Sequence, residues 1–174
     1  NTLGFLGGAV LGFIYAPLTM TGMHHSILPV EMQLFANIAV TGGSFFLAIA
    51  SCNNVAQGAA SLASIITSKN KKLRSIALTS GISALLGITE PAMFGVNLKL
   101  KTPFYSAMIG SALGSAYSVF TNVLNVSPGP TGIIGFVTIR PQNIVNFFIS
   151  LGIAFVVTFI LTLVLSKKNK SITI

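Results

Sequence analysis

Residues 87–98 read Gly87-Ile88-Thr89-Glu90-Pro91-Ala92-Met93-Phe94-Gly95-Val96-Asn97-Leu98, a polar break within an otherwise apolar run. Glu90 is one of only two acidic residues in a chain of 174 residues, and the stretch from Ile82 to Leu98 carries no other charge. A carboxylate in so apolar a setting carries a desolvation penalty unless it is paired, protonated or bound to a ligand. Glu90 is therefore the first candidate functional residue.

The composition predicts a membrane protein. Hydrophobic residues make up 52% of the chain and charged residues 7%, whereas a soluble domain carries about a quarter charged residues. Residues 1–68 contain no Lys or Arg, and the basic residues fall in three clusters, at 69–74, 99–101 and 167–170, with Arg140 apart. These clusters separate apolar runs instead of forming one face. They are typical of positive-inside anchors and argue against nucleic-acid binding.

The apolar runs predict an all-α, polytopic fold. A helix needs about 20 apolar residues to cross a bilayer, and the runs predict spans at residues 4–21, 42–66, 104–123 and 144–165. Residues 75–98 differ, because Gly87 and Pro91 break the run and both flanks are basic. A re-entrant hairpin of two half-length helices, with Glu90 near its tip, places both flanks in the cytoplasm.

The same charges predict the orientation of the other segments. Residues 42–66 run inward, residues 104–123 run outward, the loop at 125–141 is external, and the C-terminus is cytoplasmic. Residues 21–41 stay open between an external loop and a second hairpin. The chain starts at Asn1 without an initiator methionine, which predicts a fragment of a longer protein.

Two polar groups add candidate site residues, and each leaves alternatives open. His24 and His25 are either loop residues with backbone partners, metal ligands together with Glu31, or residues of a ligand pocket. Asn53, Asn54 and Gln57 are either interhelical hydrogen-bonding residues or the wall of a polar pocket that suits sugar hydroxyls. Cys52 is expected to be a small buried hydrophobe. No cofactor or metal is predicted, and no nucleophile triad, P-loop or dinucleotide motif is present.

The motifs of residues 87–91 and 94–98 resemble the signature of the membrane-embedded IIC domain of sugar phosphotransferase systems, glucose superfamily. Two further stretches are similar to other signatures of that domain: Tyr15-Ala16-Pro17-Leu18 with Thr21-Gly22-Met23-His24-His25, and Asn53-Asn54-Val55-Ala56-Gln57-Gly58-Ala59. The combination is most similar to the sucrose and trehalose branch, with the β-glucoside branch still open. The resemblance covers residues 1–174, as the C-terminal portion of a IIC domain.

The resemblance implies a function and a set of site residues. It implies a sugar permease of the bacterial plasma membrane, built as the transport-domain half of an elevator-type transporter, and a homodimer formed through an N-terminal half that precedes this chain. Glu90 is expected to hydrogen-bond the sugar, and His24 and His25 to lie near the sugar and the phosphorylation chemistry. Thr89, Asn54 and Gln57 are the further substrate-binding candidates. The phosphoryl donor is expected to be a phosphocysteine on a IIB domain. This sequence contains no IIB-like cysteine motif.

Three hypotheses therefore stand on the sequence. The first is a phosphotransferase permease for an α-linked disaccharide, either trehalose or sucrose. The second is an ion-coupled sugar symporter in which Glu90 carries the proton. The third is a membrane scaffold without transport.

Overall fold

The computed structural model describes residues 2–172, with side chains placed for residues 4–168, and this part of the chain is helical without a β-strand. The helices are α1 (Thr2–Met20), α2 (Leu28–Ala36), α3 (Ile38–Thr41), α4 (Phe46–Thr67), α5 (Lys71–Leu85), α6 (Glu90–Ala92), α7 (Leu98–Leu100), α8 (Thr102–Phe120) and α9 (Ile144–Ile172). Three short 3₁₀ helices, Met23–Ile27, Ile133–Thr138 and Pro141–Asn143, and one π-helical turn, Met93–Asn97, complete the helical elements. The all-α prediction is confirmed for these residues.

Helix α4 lies at the centre, in contact with α5, α8 and α9. Every residue from Ala48 to Ser61 is buried, and most of these side chains are small. Small side chains let neighbouring helices approach on all sides. Helices α8 and α9 approach each other closely, since a Cβ added at Gly110 would lie 2.8 Å from the Ala154 carbonyl oxygen. Gly110 is therefore required for this contact.

Residues 71–100 form a helical hairpin, as the Gly/Pro break predicts. The first arm is α5, and the second arm, residues 90–100, consists of α6, the π-turn and α7. Gly95 in the second arm lies against Ile76 in the first, since a Cβ added at Gly95 would lie 3.5 Å from the Ile76 side chain. The two arms are therefore antiparallel. The first helix of the hairpin starts four residues before the predicted re-entrant segment 75–98, whose membrane placement stays a prediction. The helix begins at Lys71, where the Asn70 side chain accepts hydrogen bonds from the backbone amides of Lys72 and Leu73.

Residues 21–41, which the sequence left open, are mostly helical. The 3₁₀ helix Met23–Ile27 leads into α2, and Pro29 stands in the first turn of α2, where proline is well tolerated. With α3, the segment therefore contains three short helical pieces and is not an extended loop. Whether it enters a membrane stays a prediction.

One helix of the described chain, Pro141–Lys168, is long and apolar enough to cross a membrane, and Gly4–Met20 is a shorter apolar helix. The spans predicted at 42–66 and 104–123 correspond to α4 and α8, whose Ser, Gly and amide residues lower their hydropathy. The membrane crossing of these two helices stays a prediction.

Candidate functional site

A polar cavity of about 240 Å³ lies where α1, α2, α4 and the hairpin tip meet. Most of its walls come from segments far apart in the sequence. The lining residues are Tyr15, Thr19, His24, His25, Ile27, Leu28, Glu31, Phe46, Leu47, Ala50, Asn54, Gly87, Thr89, Glu90 and Thr131. Five of the six predicted site residues are in this set: Glu90, His24, His25, Thr89 and Asn54.

Asn54 of α4 holds the hairpin tip in place. Its side-chain amide donates to the Gly87 carbonyl oxygen at 3.3 Å and to the Thr131 hydroxyl at 2.7 Å. Gly87 has a φ of +104°, a conformation that a glycine adopts at little cost, and a Cβ there would lie 2.7 Å from the Thr131 carbonyl oxygen. One amide therefore joins α4, the turn of the hairpin and the loop before α9.

Thr89 and Glu90 lie directly after this turn, at the start of the second arm. Thr89 is buried and Glu90 is exposed, and both line the cavity. The break in the hairpin, which the sequence predicted, is thus what brings the Glu90 carboxylate to the cavity wall.

His24 and His25 both line the cavity. In a regular α-helix, two adjacent side chains would point about 100° apart. The segment is instead a 3₁₀ helix entered through Gly22 at φ +75°, and the two ring centroids lie 4.0 Å apart. Nδ1 of His24 is buried without a hydrogen-bond partner among the described residues.

The protonation state of His24 suits a base. Burial lowers the pKa of His24 below its ordinary value, and the neighbouring His25 lowers it further. A histidine with a lowered pKa is neutral at pH 7, so one ring nitrogen can accept a proton.

Glu31 is a second carboxylate at the cavity, which the sequence analysis considered only as a metal ligand. It is buried, and its Oε1 accepts a hydrogen bond from the Ser44 hydroxyl at 2.9 Å. Burial raises the pKa of Glu31, while the bonds from Ser44 and the Leu47 amide act in the opposite direction. Both acidic residues of the chain thus converge on one cavity, and their rarity was the signal that could have identified Glu31.

Gln57 is the one predicted site residue that does not line this cavity, and its role as a substrate-binding residue stays a prediction. Its side chain is fully buried, and its Oε1 accepts a hydrogen bond from the Asn97 amide at 2.7 Å. The same amide donates to the Gln57 backbone carbonyl at 2.9 Å. Gln57 lies three residues beyond Asn54, about 4.5 Å further along α4, where it meets the second arm of the hairpin.

Tyr15 and Thr131 are lining residues that the sequence analysis missed. Tyr15 lies within a quoted motif, on α1, beside the ring of His24 at a centroid distance of 6.5 Å. Thr131 lies in the loop predicted to be external, and nothing in its local sequence indicates that this loop reaches the hairpin tip.

The cavity offers carboxylates, an amide, hydroxyl groups and imidazoles within one small volume. This set both donates and accepts hydrogen bonds, which suits a neutral ligand with many hydroxyl groups. Among the described residues, no group of three His, Cys, Asp or Glu side chains is placed to hold a metal ion.

The fold and site define an all-helical protein with a polar internal cavity. The family described as "Phosphotransferase system, EIIC" matches residues 1–111, and the chain belongs to this family, a membrane component of the bacterial plasma membrane.

Curated relatives agree with this assignment. The chain is 52% identical over 171 residues to a sucrose-specific EIIBC component of Vibrio alginolyticus, covering 98% of this chain and 36% of the relative. It is 45% identical to a sucrose-specific EIIBCA component of Pediococcus pentosaceus, with 97% and 26% covered. It is 43% identical to a trehalose-specific EIIBC component of Bacillus subtilis (strain 168), with 88% and 32% covered. The chain thus spans about a third of the length of the relatives it matches. No solved structure matches it.

The pairing of Gln57 with Asn97 generates a stability prediction. Gln57→Met leaves the buried Asn97 amide with only the backbone carbonyl of residue 57 as acceptor, and an unsatisfied buried N–H costs about 1–3 kcal/mol. The unfolding temperature of the whole protein in detergent is therefore expected to fall. Gln33→Met, at an exposed position on α2, is the matched control and is expected to leave the unfolding temperature unchanged.

The double variant Gln57→Met/Asn97→Leu separates this pairing from simple loss of packing. Replacing both partners with apolar groups removes the unsatisfied donor, so the double variant is expected to be more stable than the sum of the single losses. Additive losses would contradict the pairing.

Proposed function

We propose that this chain is the C-terminal portion, residues 1–174, of a sugar permease that binds an α-linked disaccharide and presents it for phosphorylation during uptake. The observation that carries the proposal is the convergence of His24, His25, Thr89 and Glu90 on one polar cavity, although the two pairs lie more than 60 residues apart. In this proposal a phosphocysteine on a IIB domain donates the phosphoryl group. The relatives named EIIBC and EIIBCA support a IIB partner.

The cavity recognises sugar hydroxyls through complementary hydrogen bonds. Glu90 accepts from a hydroxyl group, and the unpartnered Nδ1 of His24 bonds another. The volume of about 240 Å³ is below the roughly 300–1,000 Å³ of typical small-molecule sites. This cavity therefore takes part of a disaccharide, and the remaining walls belong to the portion of the IIC domain outside this chain.

Sucrose is the substrate to test first. The sucrose-specific relative from Vibrio alginolyticus is 52% identical to this chain, against 43% for the trehalose-specific relative from Bacillus subtilis. The ion-coupled alternative, with Glu90 as proton carrier, is not favoured, because the relatives are components of phosphotransferase systems.

The distribution of side chains on α9 supports placement in a bilayer. The stripe Ser150, Ala154, Thr158 and Thr162 is buried, while Val156, Ile160 and Val164 are more than half exposed. Small and polar residues between helices with large apolar residues outside are the arrangement of helices packed in lipid. The proposal also includes a multi-pass topology, a cytoplasmic C-terminus, an elevator-type movement and a homodimer.

Uptake into membrane vesicles that carry the whole protein tests the proposed function. Accumulation of labelled sucrose as sucrose phosphate, dependent on phosphoenolpyruvate and the general phosphotransferase proteins, is expected. Accumulation of unmodified sucrose that collapses with the proton gradient would contradict the proposal and restore the symporter hypothesis.

Glu90→Gln is expected to weaken sugar binding by the whole protein without unfolding it. Loss of a hydrogen bond to a charged group costs about 1.5–3 kcal/mol, roughly ten- to a hundredfold in affinity. Isothermal titration of the purified protein with sucrose measures this loss. Thr79→Val is the control, because Thr79 lies on the same hairpin, is exposed, and bonds only to backbone carbonyls of its own helix. Unchanged affinity in Glu90→Gln would remove the carboxylate from the sugar site.

Replacement of His24 or His25 by Gln is expected to impair phosphorylation-coupled uptake more than equilibrium sugar binding. Phosphoryl transfer needs the sugar hydroxyl held in line, and a neutral imidazole can take up its proton. His24 is expected to matter more, because its buried Nδ1 is unpartnered and its pKa is lowered. Phosphoenolpyruvate-dependent sucrose phosphorylation is compared with titration of binding, and full activity in both variants would make the pair structural.

The hairpin of residues 71–100 is expected to have both ends on the cytoplasmic side. Single cysteines at Lys71 and Lys101, in a protein whose other cysteines are replaced, are expected to react with an impermeant maleimide only from that side. The physical reason is that both flanks are basic. Reaction from opposite sides would show that the segment crosses the bilayer once.

A further inference from the structure

A second cavity, of about 410 Å³, lies at the end of the helical assembly remote from the hairpin tip. It is lined by Thr67, Ser68, Lys69, Asn70, Leu100, Thr102 and Ser166, which come from the ends of α4, α8 and α9, the start of the hairpin and the end of its second arm. Helix α5 runs from the Lys71 end to the hairpin tip, and its 15 residues span about 22 Å at 1.5 Å per residue. The second cavity is therefore separate from the candidate sugar site.

This end of the molecule concentrates the positive charge of the chain. Lys69 lines the cavity, and the lining segments run directly into seven further basic residues: Lys71, Lys72, Arg74, Lys99, Lys101, Lys167 and Lys168. The only two acidic residues of the chain, Glu31 and Glu90, line the other cavity. No carboxylate side chain of this chain therefore neutralises the charge around the second cavity.

The backbone at this end is held in an unusual conformation. Lys101 has a φ of +59°, which a residue with a side chain adopts only at a cost. This turn separates the second arm from α8 and leaves Leu100 and Thr102 on the wall of the same cavity. The conformational cost at Lys101 thus arises where the second arm of the hairpin and α8 meet at the same cavity.

Exposed apolar side chains lie near the ends of two helices that line the charged pocket. Ile66, next to Thr67 on α4, is 65% exposed, and Val164, two residues before Ser166 on α9, is 56% exposed. A free anion such as phosphate gains nothing from such neighbours, whereas a lipid gains from burying its acyl chains against them. The pocket and its surroundings thus match a molecule with an anionic head and an apolar tail.

We propose that this second cavity binds the phosphate headgroup of an anionic phospholipid, with the Lys69 ammonium paired to the phosphate and the acyl chains along Ile66 and Val164. Basic pockets between helices on the cytoplasmic side are the usual sites of such headgroups. The proposal rests on the membrane placement given above and not on the identity of the sugar. The lipid joins the ends of five helical segments, so it stabilises the arrangement that carries the hairpin.

The test measures lipid retention by the whole protein, which is independent of sugar binding. The protein is purified from bilayers of phosphatidylcholine with a minor fraction of phosphatidylglycerol, and bound lipid is counted by native mass spectrometry and titrated with short-chain phosphatidylglycerol. Lys69→Gln is expected to weaken phosphatidylglycerol binding by about tenfold or more, as for a lost charged hydrogen bond. Lys72→Gln removes the same charge from a residue that does not line the cavity, and is expected to bind like the unaltered protein.

Two further comparisons decide what occupies the cavity. Ile66→Ser is expected to weaken phosphatidylglycerol binding, whereas Ile82→Ser, at an exposed apolar position on α5, is expected to leave it unchanged. Equal losses in Lys69→Gln and Lys72→Gln would reduce the effect to surface charge, and no preference over phosphatidylcholine would remove the site. Displacement by inorganic phosphate at concentrations that match the lipid's affinity would assign the cavity to a soluble anion. Each of these three results overturns the proposal.

Discussion

The structure depends on the burial of α4, a helix from which several polar side chains bond to neighbouring elements. Buried polar groups are costly unless they are hydrogen-bonded, and three of these side chains bond outward in different directions. Asn54 bonds the hairpin tip, and Gln57 bonds the second arm. Ser61 bonds the first arm through the Ala77 carbonyl and the Ser80 hydroxyl. The positions of the surrounding elements are thus set by one central helix.

The loop before α9 is part of this same arrangement. The Gly132 amide donates to the Ser51 hydroxyl at 3.1 Å, and the Thr131 hydroxyl accepts from Asn54. Asn125 of that connection pairs with Ser44 through two backbone hydrogen bonds, and Ser44 in turn bonds Glu31. A chain of contacts therefore runs from the loop through Ser44 to the carboxylate at the cavity. The groups that line the cavity are positioned by loops as much as by helices.

Much of this architecture could be predicted from residues whose physical effect is local. Gly87 and Pro91 mark the hairpin break, because a positive φ favours glycine and proline begins a helix well. Glu90 could be identified as a candidate site residue in the same way, because it is a rare acidic residue within an apolar run. The helical period of α4 was less informative, because amides at positions 53, 54 and 57 look alike in sequence. Only the packing of the hairpin decides that Asn54 faces the tip while Gln57 faces Asn97.

Other features of the cavity depend on backbone geometry that no periodicity encodes. The 3₁₀ helix after Gly22 brings both imidazoles to one wall, although a regular α-helix would have separated them. Thr131 reaches the cavity through long-range folding, so its neighbours in the sequence carry no mark of it. The family assignment, in contrast, rests on three motifs spread over the chain and on a match to residues 1–111.

The π-turn at Met93–Asn97 has a consequence for how this hairpin can vary among related proteins. A π-turn accommodates one additional residue in a helix, and one residue corresponds to a rotation of about 100°. The additional residue therefore determines the direction in which Asn97 points towards Gln57. The direction in which Glu90 points towards the cavity is not affected by it. Deleting a single residue within the turn would preserve the helix and its composition while rotating one of these groups away from its target. Aligned relatives should accordingly tolerate substitution of the exposed Phe94 far more readily than a change in the number of residues between 93 and 97.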